Sequence, residues 1–163
     1  MEKVAHFLQV EAMNRLDLEE RDTFGRSAYN RYYYATYLCV RDAFATMNVQ
    51  WETAPHKSYP AILDGKIKKT LSASKSKANR IKDTDLTRHI DIAIRSALEL
   101  SKIMERGYSV RVAADYNRNV RVDFGSGARF SLSGIDISEA HKWPERARVL
   151  TLAIKAAWKQ IHA

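Results

Sequence analysis

The stretch that decides the fold is residues 27–44, which read SAYNRYYYATYLCVRDAF. Tyr29, Tyr33 and Tyr37 recur every four residues, so a helix would place them along one face. A tyrosine hydroxyl needs a hydrogen-bond partner when it is buried, and a charge such as that of Arg31 must be paired or left in water. The stretch therefore predicts a helix that holds a polar site or a polar interface.

The whole chain has the size and composition of one packed globular domain. It has 163 residues, 45% of them hydrophobic, and a formal net charge of +8. Such a charge attracts polyanions, including nucleic acid, anionic lipid and acidic proteins. Cys39 is the only cysteine, which rules out an intrachain disulfide. Because it lies among aromatic and aliphatic residues, we expect its side chain to act as a small buried hydrophobic group. No apolar run approaches the length of a membrane span, and the first twenty residues lack a signal-peptide pattern. We expect a soluble, cytoplasmic protein.

The flanking segments predict further helices. The expected helices cover residues 2–18, 27–47, 58–71, 84–107 and 143–162. A break is expected at 21–25, and Gly107 is expected to end the fourth helix as a C-terminal glycine. The polar continuation after Leu71 is expected to be only weakly helical.

The pattern of residues 120–132 differs from that of the helical segments. VRVDF-GSG-ARFSL alternates around Gly125-Ser126-Gly127 and predicts a short β-hairpin. The predicted fold class is all-α: one domain over residues 1–163, an up-and-down bundle of four to five helices with a hairpin insert near 120–132.

A second pattern adds to the tyrosine-rich helix. Residues 30–38, NRYYYATYL, align without gaps with the tyrosine-rich helix of the HEPN family. Ala114-Asp115-Tyr116 matches a second typical feature of that family, and His56 stands where many members carry a histidine. The chain thus resembles HEPN domains, small helical bundles of prokaryotic toxin–antitoxin, CRISPR-associated and phage-defence systems. The resemblance implies a bundle that forms a homodimer or heteromer through the tyrosine-rich helix.

Catalysis is where the sequence departs from this family. Many HEPN domains are metal-independent ribonucleases that use an arginine and a following histidine. Arg31 matches the arginine, but Leu38 occupies the histidine position, and leucine cannot exchange a proton. We therefore expect the standard chemistry to be missing. The alternative is a ribonuclease with a non-standard site around Arg31, Tyr37 and His56.

A run of basic residues is the candidate nucleic-acid surface. Its members are Lys66, Lys68, Lys69, Lys75, Lys77, Arg80 and Lys82, and Arg111 is assigned with them. Clustered lysine and arginine are the usual electrostatic footprint of nucleic-acid binding. The same run could equally be a solvated charged segment.

Four polar residues are expected to form a structural clamp: Tyr33, Asp42, Asp115 and Tyr116. For Arg31, an internal pair with Asp42, Asp115 or a tyrosine and a contact with phosphate both remain open. No spacing predicts a metal site, and no cofactor is expected. The sequence thus predicts a HEPN-like module that binds RNA or another polyphosphate, or serves assembly, in a prokaryotic defence or toxin–antitoxin system.

Overall fold

The computed structural model of the protein describes residues 1–125 and 129–163. In these ranges the helices are α1 (Glu2–Asn14), α2 (Leu18–Met47), α3 (Val49–Glu52), α4 (Tyr59–Ala61), α5 (Lys68–Arg80), α6 (Thr84–Tyr116) and α7 (Ile137–Ile161). A 3₁₀ turn covers His56–Ser58, and a π-helical segment, Ile62–Ile67, joins α4 to α5. Strands β1 (Ser131–Leu132) and β2 (Ile135–Asp136) pair antiparallel. The predicted all-α class with a short β-hairpin is confirmed.

Helix α2 begins earlier than the sequence predicts. The Asp17 carboxylate accepts hydrogen bonds from the backbone N–H groups of Glu19 and Glu20, both at 2.9 Å, which caps the helix at its first turn. The predicted break at 21–25 is therefore wrong. Gly25 lies inside α2, where an added Cβ would lie 3.2 Å from the Val122 side chain. The glycine permits close packing instead of ending the helix.

Gly107 is a second misassigned glycine. Helix α6 continues through it to Tyr116. A Cβ at this position would lie 3.0 Å from the Tyr33 ring and 3.4 Å from the Trp143 ring. The glycine allows two aromatic rings to pack against the α6 backbone, so the predicted helix end at Gly107 is wrong.

Two more boundaries differ from the sequence prediction. The polar stretch after Leu71 is the regular helix α5, because Leu71 and Ala78 bury one side of it. Helix α7 begins at Ile137, not near Trp143, since the Asp136 carboxylate accepts a 2.7 Å hydrogen bond from the Ser138 N–H.

The hairpin turns at Ser133 and Gly134, with φ of 52° and 74°. Two positive φ values are typical of the two-residue turns that join twisted strands. Within the predicted segment 120–132, Asp123 forms an isolated antiparallel bridge with Ser131. Residues 126–128, which include most of the predicted Gly-Ser-Gly turn, lie outside the described residues. Strand β1 of the regular hairpin thus lies at the end of the segment that the sequence indicated, and β2 lies just beyond it.

The chain divides into two compact units. The first contains residues 1–37 and 106–145, and the second contains residues 38–105 and 146–163. Buried aromatic side chains of the first unit are Tyr29, Tyr32, Tyr33, Phe130 and Trp143; large buried side chains of the second are Phe44, Tyr59, Leu63, Ile67, Leu71 and Leu100. One domain across 1–163 stays a prediction. Among the described residues, no helix combines the length and apolar character needed to cross a membrane.

Candidate functional site

The second unit carries a row of basic side chains on one side of α5. We call it the α5 basic face, and its members are Lys69, Lys77 and Arg80 of α5 together with Lys66 of the preceding π-helical segment. At about 100° per residue, the three positions in α5 fall within roughly 80° of the helix circumference. All four residues are exposed. Within the described parts of the chain, none of these four side chains has a hydrogen bond or an ion pair.

The remaining lysines of α5 are neutralised by acids. Lys68 forms an ion pair with Asp64, with 2.9 Å between Nζ and Oδ1. Lys75 forms one with Asp91 of α6 at 2.6 Å. Both lysines lie on the far side of α5 from the basic face, about 150° away by helical periodicity. The structure therefore separates a paired basic side from an unpaired one, a distinction that composition alone does not make.

The α5 basic face is long as well as unpaired. From Lys66 to Arg80 the chain rises about 21 Å at 1.5 Å per residue. This length exceeds the Debye length of about 8 Å at physiological ionic strength, so a small anion would feel only part of the row. A polyanion could contact all four cations at once. Lys82 follows the helix as an exposed residue with φ of 57°.

Arg111 does not belong to this face. It lies in the first unit and pairs with Asp115, with 2.8 Å between Nε and Oδ2. This is a close charge contact and not an aligned hydrogen bond, because Nε has no partner in hydrogen-bond geometry. The guanidinium also lies 5.9 Å from the Tyr34 ring and 5.3 Å from the Tyr116 ring. Its charge is satisfied internally.

The predicted polar clamp is present only in part. Asp115, at the end of α6, accepts a hydrogen bond from the Asn30 side chain of α2, so it joins these two helices. Asp42 lies in the second unit and pairs with its neighbour Arg41 at 3.1 Å. Tyr116 is 70% exposed.

The stronger clamp is one that the sequence analysis missed. Arg26 pairs with Asp22 at 2.8 Å. Its guanidinium also donates to the carbonyl oxygens of Ala113, Ala114, Asn117 and Val120. The other carboxylate oxygen of Asp22 accepts a 2.7 Å hydrogen bond from the Val122 N–H. The spacing of Asp22 and Arg26 at i and i+4 was a signal that the sequence contained. The sequence could not show the carbonyl oxygens that Arg26 contacts, because they lie about ninety residues away.

The tyrosines of α2 are packed inside the first unit. Tyr33 is fully buried and Tyr37 is 9% exposed. The two rings stack with 6.3 Å between centroids and 23° between planes. The Tyr29 hydroxyl donates a 2.5 Å hydrogen bond to the carbonyl oxygen of Ile135. The chain's own contacts cover the rings of Tyr29, Tyr33 and Tyr37, so these three rings offer little surface to a partner. The dimer or heteromer itself stays a prediction.

Tyr32 anchors a second polar cluster in the first unit. Its hydroxyl donates to Oε1 of Gln9 at 2.7 Å and lies 2.7 Å from Nδ1 of His141. Because the one hydroxyl proton is directed to Gln9, Nδ1 of His141 acts as the donor in this arrangement. Burial raises the pKa of Tyr32 to about 12, so the hydroxyl keeps its proton at neutral pH.

The three candidate catalytic residues have different surroundings. Arg31 is exposed on α2, and among the described residues its guanidinium contacts no acid or other polar group. Tyr37, six residues later, lies about 240° around the helix and is buried. His56 belongs to the second unit, where it is half-buried with its ring 6.5 Å from that of Tyr59. Within the first unit, Arg31 and Tyr37 are not brought together.

The described residues contain no group of three or more histidine, cysteine, aspartate or glutamate side chains that could hold a metal ion. Comparison with models of known protein families, with curated proteins and with solved structures finds no match to this chain.

Proposed function

We propose that the protein is an RNA-binding module, HEPN-like in its resemblance, whose α5 basic face contacts the phosphate backbone. The observation that carries the proposal is the row of four exposed and unpaired cations along about 21 Å of helix. The formal net charge of +8 supports it, because it favours the approach of any polyanion. The proposed setting is a cytoplasmic prokaryotic defence or toxin–antitoxin system.

The proposal is for binding without the standard family nuclease chemistry. Leu38 stands where the resemblance implies the catalytic histidine. Tyr37 is an unsuitable substitute, because its ring is stacked on Tyr33 and almost fully buried. Arg31 is exposed and remains available to hold a phosphate, but a general acid or base must still be within hydrogen-bond reach of the reacting proton. Among the described residues of the first unit, no contact supplies one to Arg31.

Binding of labelled RNA to purified protein, measured by fluorescence anisotropy, tests the proposal. The variant Lys69→Glu with Lys77→Glu reverses two charges at the centre of the α5 basic face. We expect its affinity to fall at least tenfold, because each lost phosphate contact weakens binding and the new carboxylates repel the backbone. Helix content should not change, since both residues are exposed.

A matched control makes the same charge change elsewhere in the second unit. Lys102 and Lys159 are also exposed, on α6 and α7. The variant Lys102→Glu with Lys159→Glu should lose less affinity than the α5 variant. If the two variants weaken binding equally, net charge is responsible and the α5 basic face has no specific role.

A further inference from the structure

Helix α1 exposes an apolar row that no part of the described chain covers. Val4 is 48% exposed, Phe7 59% and Val10 41%. The other side of the same helix is fully buried at Ala5 and Ala12. Helix α1 is therefore apolar on two sides, and only one of them contributes to the core of the first unit. An exposed row of this kind is typical of an interaction surface.

Two opposite charges flank this row. Lys3 and Glu11 lie within about 40° of Phe7 on the helix circumference, at 100° per residue. Lys3 is exposed, and its ammonium has no acidic partner among the described residues. Glu11 pairs with Arg15 one turn later and keeps 22% of its side chain exposed. Along the helix the face therefore begins with a positive charge at Lys3, continues with three apolar side chains and ends with a negative charge at Glu11.

We propose that a second copy of this chain covers the α1 face in an antiparallel, two-fold arrangement centred on Phe7. In such a pair, residues whose numbers add up to 14 lie opposite each other. Lys3 then faces Glu11 of the second copy, Val4 faces Val10, and Phe7 faces itself. A two-fold axis makes each of these contacts twice.

The charge order favours this partner over others. A self-complementary row needs no second protein species, and antiparallel pairing is the orientation that brings the opposite charges together. Lys3, Glu11 and the Arg15 that pairs with Glu11 give the face one net positive charge, which is far less than the lysine-rich surround of helices that bind anionic lipid. A helix of 13 residues is about 20 Å long. Two such helices bury less than the roughly 1,200 Å² of a standard interface, so the dimer should be weak and dependent on concentration.

Charge exchange tests the orientation of the dimer. Sedimentation equilibrium over a range of protein concentrations should show a reversible dimer of the wild-type chain. Lys3→Glu and Glu11→Lys should each lower the association constant about tenfold, because each substitution creates two like-charge contacts. The double variant should recover most of the wild-type association. Phe7→Asp should abolish it, whereas Leu152→Asp, at an exposed leucine of α7, should leave it unchanged.

Cysteine cross-linking tests the position of the two-fold axis. Phe7→Cys places two thiols at the axis, and mild oxidation should join them in a covalent dimer. Asn14→Cys is the matched control on the same face, where the two thiols would lie about 21 Å apart along the helices, too far for a disulfide. A wild-type chain that stays monomeric at millimolar concentration overturns the proposal. Three other results would also overturn it. They are a dimer that persists in Phe7→Asp, a double charge variant that does not recover the wild-type association constant, and equal cross-linking at positions 7 and 14.

Discussion

Arg26 and Asp22, one turn apart on α2, form an ion pair of 2.8 Å in which both side chains are nearly buried, at 13% and 11% exposure. The pair would be costly in isolation, because burial removes both charges from water. Here the guanidinium also satisfies carbonyl oxygens at the end of α6 and in the segment that follows it. The Ala113 and Asn117 oxygens also accept backbone hydrogen bonds from the Asn117 and Val120 N–H groups, at 3.2 and 3.3 Å, so the guanidinium adds a second donor to each. The pair therefore ties α2 to the C-terminal end of α6.

Removing this arginine should destabilise the first unit strongly. We expect Arg26→Met to lower the free energy of unfolding by about 3 kcal/mol, because it removes the closest cation from the nearly buried Asp22 carboxylate and leaves it the Val122 N–H and the Arg121 guanidinium at 3.5 Å. Urea denaturation followed by circular dichroism gives the value. Arg118→Met, at an exposed arginine, is the matched control and should change stability by less than about 0.5 kcal/mol. Equal effects of the two substitutions would contradict this account of the clamp.

The two helical glycines Gly107 and Gly65 should respond to alanine with opposite signs. A Cβ at Gly107 would lie 3.0 Å from the Tyr33 ring, so Gly107→Ala should destabilise by about 1–3 kcal/mol through overpacking. A Cβ at Gly65 would meet nothing within 4 Å, so Gly65→Ala should stabilise by up to about 1 kcal/mol through helix propensity. Thermal unfolding of the two variants is the measurement. A change in stability of the same sign in both variants would show that the contact with the Tyr33 ring does not determine the effect of a Cβ at position 107.

Gly25 and Gly107 show what the sequence could and could not predict. The presence of the long helices could be predicted, because apolar residues recur at helical spacing in each of them. A glycine that ends a helix and a glycine that admits a neighbouring ring look the same in one sequence, so the expected boundaries at 21–25 and Gly107 were wrong. The difference depends on residues distant in the chain, such as Val122 and Tyr33.

The candidate site shows the same division. The sequence predicted the basic stretch, but it treated seven residues as one group. The structure shows that, within the described parts of the chain, some of them form ion pairs with acids and that others do not. Lys68 and Lys75 contact Asp64 and Asp91, and the second of these acids lies on another helix. The Asp64–Lys68 spacing of four residues was visible in the sequence, whereas the Lys75–Asp91 pair depends on how α5 packs against α6.

The buried tyrosines predict a loss of stability at alkaline pH. Burial raises the pKa of Tyr29, Tyr32 and Tyr33 above the ordinary value of 10, for Tyr32 to about 12. A raised pKa in the folded state contributes stability that is complete below pH 10 and is lost as the pH rises toward the folded value. Unfolding free energy should therefore fall from pH 10 to pH 12, and less so in Tyr32→Phe.

Absorbance at 295 nm supplies an independent measurement of these groups. The chain has eight tyrosines, and we expect Tyr29, Tyr32 and Tyr33, whose pKa values burial raises, to ionise only as the fold opens. A single transition near pH 10 for all eight, with the far-ultraviolet circular dichroism unchanged, would show that the rings are accessible in the folded protein.

Ribonuclease activity in the absence of metal should be absent or very weak. The resemblance implies a histidine at position 38, and Leu38 cannot transfer a proton. We expect no cleavage of a mixed RNA pool in EDTA, and some cleavage by Leu38→His that Arg31→Ala abolishes. Robust cleavage by the wild-type chain that depends on Arg31 and leaves 2′,3′-cyclic phosphate ends would contradict this prediction. His56→Ala and Tyr37→Phe would then identify the group that moves the proton.

The salt dependence of RNA binding tests the central claim most directly. The logarithm of the association constant for single-stranded RNA should fall linearly with the logarithm of salt concentration, with a slope of about −0.7 for each phosphate neutralised. Four contacts along the α5 basic face predict a slope near −2.8 from this face, and Lys69→Gln with Lys77→Gln should reduce the magnitude of the total slope by about 1.4. Lys102→Gln with Lys159→Gln should leave the slope nearly unchanged. A slope that the α5 substitutions do not alter, or RNA binding that salt does not weaken, would contradict the account.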